Sequence, residues 1–70
     1  MNEESDIRQR IGQQIAELRQ KRGLSQYQLA DLSGVGRSHI TRIEQGKYNV
    51  RIDILDKLVE ALGGKLEITE

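Results

Sequence analysis

Residues 25–46, SQYQLADLSGVGRSHITRIEQG, admit two short helices joined by a tight turn, the second offering its outer face to a partner. Ser25 and Gln28 have the S-x-x-Q spacing of a capping box, which predicts a helix starting at Gln26. Leu29 and Ala30 supply its inward side, and Gly34 follows Ser33 where a helix C-terminus needs a residue that tolerates positive φ. A second helix can begin after Gly36 and run to Gln45, with Gly46 ending it. In it Ile40 and Ile43 share one face, while Arg37, Ser38, Thr41 and Arg42 fall on the opposite one. Such a helix suits a DNA major groove. There Arg donates two hydrogen bonds to guanine O6 and N7, and Ser and Thr suit several base edges.

The flanking segments predict two more helices. Ile7, Ile11, Ile15 and Leu18 recur at i, i+4, i+8 and i+11, the buried stripe of a helix from about Asp6 to Arg22 that Gly23 ends. Ile52, Leu55, Leu58, Val59 and Leu62 are the inward positions of a helix over 52–62, closed by Gly63 and Gly64. The tail, Lys65-Leu66-Glu67-Ile68-Thr69, alternates polar and apolar, which is strand periodicity. A lone strand has unpaired N–H and C=O groups. The same strand from a second copy would pair them across a two-fold axis, so Leu66 and Ile68 are candidate dimerisation residues. The alternative is a frayed tail. No internal repeat or linker divides residues 1–70, which read as one domain with the paired helices at 26–45 and the strand at about 65–69.

Composition narrows the possibilities further. The 70 residues include no Phe, Trp, Pro or Cys, so the core must come from Ile, Leu, Val and Ala. With no Cys and a single His there is neither a disulfide framework nor a zinc cluster, and no cofactor is expected. At this size, stability should lean on close helix packing and on a second subunit. No apolar run approaches the roughly 18 residues of a membrane span, and MNEESDIRQR is unlike a signal peptide, so the expected location is cytoplasmic, away from membranes. Net charge is zero, but residues 7–33 and 34–51 each carry an excess of three positive charges, and residues 1–6 and 52–70 each an excess of three negative ones. A basic face on an acidic body fits phosphate binding, which depends on the local patch and not on the total.

Four elements together resemble the phage-repressor (Xre, Cro/C1-type) helix-turn-helix family: I-x-x-L-R-x-x-R-G-L-S-Q at 15–26, L-A-x-x-x-G-V at 29–35, I-x-x-I-E-x-G-K at 40–47 and I-x-x-L-x-x-L-x-x-A-L-G at 52–63. The resemblance runs from about Ile7 to Leu62. It implies an all-α, lambda-repressor-like domain of four helices, here with a short C-terminal β-strand where the simplest members place a fifth helix. The A-L-G-G-K-L-E-I ending also looks like HigA- and HipB-like antitoxins, DNA-binding partners of a toxin.

Site residues follow from the resemblance position by position. Arg37, Ser38, Thr41 and Arg42 stand where the family reads bases. Gln26 matches the residue that bonds a phosphate beside the helix N-terminus, and Lys47, Tyr48 and Asn49 match the loop that follows the phosphate backbone. For Tyr48, a ring covering the edge of the core is nearly as good a reading. Gly36 replaces the usual Ser or Thr cap and offers no hydroxyl to a phosphate. Arg19 and Glu44 match an ion pair that fixes the recognition helix. His39 has no accompanying nucleophile or metal-ligand set, so no enzymatic activity is expected. The implied function is a homodimeric transcriptional repressor on double-stranded DNA. An antitoxin with a toxin as further partner is the close rival, and a protein-interaction module that has lost DNA binding is the third.

Overall fold

The computed structural model describes residues 3–69. Four helices follow one another: α1 (Glu3–Lys21), α2 (Gln26–Ser33), α3 (Arg37–Glu44) and α4 (Ile52–Ala61). Packing is of α1 on α3, and of α2 on both α3 and α4. The capping box sets the start of α2: the Gln28 N–H donates to Ser25 Oγ (3.0 Å), and the Ser25 N–H donates to Gln28 Oε1 (2.8 Å). At its other end Gly34 sits at φ 76° and its N–H donates to the Ala30 carbonyl (2.9 Å), a conformation a Cβ would penalise. Ser33 Oγ accepts from the Val35 N–H (3.1 Å), tightening the turn into α3.

The core comprises Ile15, Leu29, Val35, Ile40, Ile43, Leu58 and Leu62, with Ile11, Leu18, Leu55 and Val59 packed half-buried around it. Leu29, Ile40, Leu58 and Leu62 are the largest side chains fully out of water. Each such burial contributes about 2–3 kcal/mol. Gly12, in the middle of α1, is itself buried because the backbone of α3 lies directly against it.

Three expectations are corrected. Ile7 and Ile52, placed inward by periodicity, are 50% and 76% exposed. Ile7 lies near the start of α1 and Ile52 is the first residue of α4, and periodicity marks a face without saying where the opposing layer ends. The strand expected at about 65–69 does not form: residues 64–69 carry no regular secondary structure. A strand is defined by its ladder, and no second strand exists among the described residues to complete one. Leu66 and Ile68 are accordingly exposed. Among the described residues no helix is long and apolar enough to cross a membrane.

Candidate nucleic-acid interface

An eight-residue helix cannot hold its own orientation, so the placement of α3 depends on what grips it. Its inner face is gripped by burial: Ile40 and Ile43 are 0% and 2% exposed. Its C-terminal end is gripped by a polar network. Arg19 of α1 donates from Nε to Glu44 Oε2 (2.7 Å), from Nη2 to Glu44 Oε1 (3.0 Å), and from Nη1 to the Leu24 carbonyl (2.8 Å). Gln26 of α2 donates from Nε2 to Glu44 Oε1 (3.0 Å) and accepts at Oε1 from the Thr41 hydroxyl (2.8 Å). Arg19, Glu44, Gln26 and Thr41 thus tie α1, α2 and α3 together at one point. The ion pair is mostly out of water, with side chains 13% and 8% exposed. The hydrogen bond to Glu44 raises the Arg19 pKa above its ordinary value, against the opposing pull of desolvation.

The network changes what two of the expected contacts can offer. The Thr41 hydroxyl has one proton, shared between Gln26 Oε1 and the Arg37 carbonyl (3.1 Å). Thr41 is half-buried, and with its proton engaged its hydroxyl is left as an acceptor only. Gln26, also half-buried, uses one of its two amide N–H groups on Glu44 and keeps the other unpaired among the described residues. Arg37, Ser38 and Arg42 are exposed on the outer side of α3, and Lys47 and Asn49 are exposed just beyond it. Tyr48 is half-buried against the core and stacks with His39, ring centroids 5.5 Å apart. The guanidinium of Arg42 lies 5.9 Å from the Tyr48 ring centroid. Gly36 caps α3 in an extended conformation with no side-chain hydrogen bond. Arg51 pairs with Asp53 at 3.2 Å, but both are well exposed, so the pair contributes little.

Two participants carry no motif. The Leu24 carbonyl holds the third arm of Arg19, a backbone contact with no residue-type signal. Tyr27 lies beside α3 with the Arg37 guanidinium 4.6 Å from its ring centroid. Spacing gave no hint of this, because Tyr27 and Arg37 are on different helices.

Comparison with known proteins matches residues 15–68 to a helix-turn-helix family model. An uncharacterized HTH-type transcriptional regulator of Haemophilus influenzae is 42% identical over 65 residues, covering 93% of this chain and 66% of that protein. The immunity repressor protein of Bacillus phage phi105 is 38% identical, covering 76% of this chain and 37% of the repressor. The chain therefore spans less than two thirds of either relative. Among solved structures, the restriction-modification controller protein C.AhdI of Aeromonas hydrophila superposes with a TM-score of 0.82 at 40% identity, covering 86% of this chain and 91% of that one.

Proposed function

The chain belongs to the helix-turn-helix family whose model it matches, and from that premise we propose that it is a sequence-specific regulator of transcription, binding double-stranded DNA as a homodimeric repressor. One observation carries the reading. Helix α3 is locked from behind by Ile40, Ile43 and the Glu44 network, and it turns Arg37, Ser38 and Arg42 to solvent on the other side. A fixed helix with an outward row of donors is the requirement for reading base edges in a major groove. Lys47 and Asn49, exposed just beyond α3, and the remaining Gln26 N–H would then be the contacts to the phosphate backbone. Occlusion of a promoter is the simplest mode of action for such a domain, and the phage phi105 relative is named a repressor.

Selection of duplexes from a random library by the purified chain tests the reading directly. An enriched sequence is expected, and enrichment of none would overturn it. On the enriched duplex, Arg37→Ala and Arg42→Ala should each lose about 1–3 kcal/mol of binding and lose far less on random DNA. Lys47→Ala should weaken both duplexes alike and flatten the salt dependence. Equal losses on both duplexes for the two arginine variants would move Arg37 and Arg42 to phosphate contacts.

Dimerisation is supported by apolar surface left open. Ile52, Leu66 and Ile68 are 76%, 39% and 101% exposed, and together with Leu55 they line one hollow beside α4. Side-chain burial between two copies would cover it and hold two α3 helices about one DNA turn (~34 Å) apart. Deleting residues 65–70 should shift the sedimentation equilibrium toward monomer and weaken binding to the enriched duplex. A truncated chain that dimerises as tightly as the full one would remove Leu66 and Ile68 from the interface.

A further inference from the structure

Tyrosine is the only Phe, Trp or Tyr type in this chain, and it occurs twice. Both rings face arginines on the outer side of α3: Tyr27 lies under Arg37 at 4.6 Å, and Tyr48 lies near Arg42 at 5.9 Å. Tyr48 is explained by the core edge it covers. Tyr27 is not, because its side chain is 66% exposed and outside the core. Its neighbour also sits at an awkward place. Arg37 is the first residue of α3, where the positive end of the helix opposes a cation, and Arg37 makes no ion pair among the described residues. The negative face of an aromatic ring offsets that repulsion within about 6 Å of its centroid.

Resting on the DNA-binding reading, we propose that Tyr27 is a positioning residue for Arg37 and so sets the preference for guanine at one base pair of each half-site. The physical basis is that a guanidinium has a face and an edge. A carboxylate partner would occupy the edge and compete with the base. A ring occupies the face, leaving the N–H groups of the edge free for guanine O6 and N7. The ring also narrows the conformers of a long side chain before DNA arrives, so less freedom is lost on binding. Tyr27 itself touches no base.

The test uses the full chain, a duplex selected from a random library by that chain, and a random duplex of equal length. Tyr27→Leu should weaken the selected duplex about two- to fivefold per half-site, leave the random duplex unchanged, and relax the site at one base pair of each half-site. Tyr27→Phe keeps the ring and should keep the preference. In an Arg37→Ala background, Tyr27→Leu should change nothing further. Thermal melts of Tyr27→Leu should match the parent, because the ring is exposed. In the free chain, the Arg37 side-chain protons should show an upfield ring-current shift in NMR spectra that collapses in Tyr27→Leu.

A Tyr27→Leu loss that persists without Arg37, or a Tyr27→Phe loss equal to that of Tyr27→Leu, would make Tyr27 a direct DNA contact and overturn the positioning role. Unshifted Arg37 protons in the parent would overturn it as well. If no duplex is enriched, the regulator reading fails first. If one is enriched and its preference survives Tyr27→Leu, only the role of Tyr27 fails.

Discussion

Gly12→Ala should destabilise the chain by about 2 kcal/mol or more, the reverse of what helix propensity alone predicts. In the middle of an exposed helix, glycine to alanine stabilises by roughly 1 kcal/mol, because glycine gives up more backbone freedom on folding. Gly12 is in the middle of α1 but is buried against α3. A Cβ there would fall inside the Ile43 carbonyl oxygen and press on the Glu44 carbonyl at 3.1 Å. Those groups are backbone, so relief requires α1 and α3 to separate. For a domain whose whole stability is on the order of 5 kcal/mol, that is a large share. Because the displaced carbonyls belong to the last turn of α3, binding to the selected duplex should fall too. Urea melts of Gly12→Ala and Gly12→Val, with the valine variant the weaker, are the measurement. A gain in the alanine variant would mean the two helices have room that the structure does not show.

Glu44→Ala should cost about 2–4 kcal/mol, somewhat below the usual figure for a fully buried pair because these side chains keep some contact with water. The loss is not the ion pair alone. Arg19 stays charged at any working pH and would keep only the Leu24 carbonyl, while the Gln26 amide would lose its acceptor and with it the anchor that orients Thr41. Both stability and DNA affinity should therefore fall. Replacing Arg19 and Glu44 together by well-packed apolar residues should recover stability without recovering affinity, because hydrophobic packing does not fix the rotation of α3 as a forked hydrogen bond does. Thermal melts and binding curves of the two single variants and the double variant form the cycle. Strictly additive losses would mean that Arg19 and Glu44 are not coupled.

Much of the fold was legible because it is encoded over short range. A capping box spans four residues, a left-handed glycine ends a helix where it stands, and an apolar stripe repeats every three or four positions. These signals place α2 at Gln26, close it at Gly34, and put Ile40 and Ile43 on the inner face of α3. The outward position of Arg37, Ser38 and Arg42 follows from the same period.

Only the tertiary structure decided where those helices stop covering one another. The stripes that include Ile7 and Ile52 are continuous in sequence, yet their first residues are left exposed. The alternation at 65–69 has the period of a strand, but a strand exists only with a partner backbone, and the described residues offer none. Gly12 looks like a weak point in α1 until α3 is laid across it. Tyr27 looks like any exposed residue of α2 until Arg37 comes to rest on its ring. In each case the deciding contact joins residues far apart along the chain. Local propensity and period act over one or two turns of helix, so the sequence by itself determined where the four helices form and which face of each turns inward along its middle. The close approach of one element to another, and the side chains it leaves uncovered, depend on distances that exist only once the chain has folded.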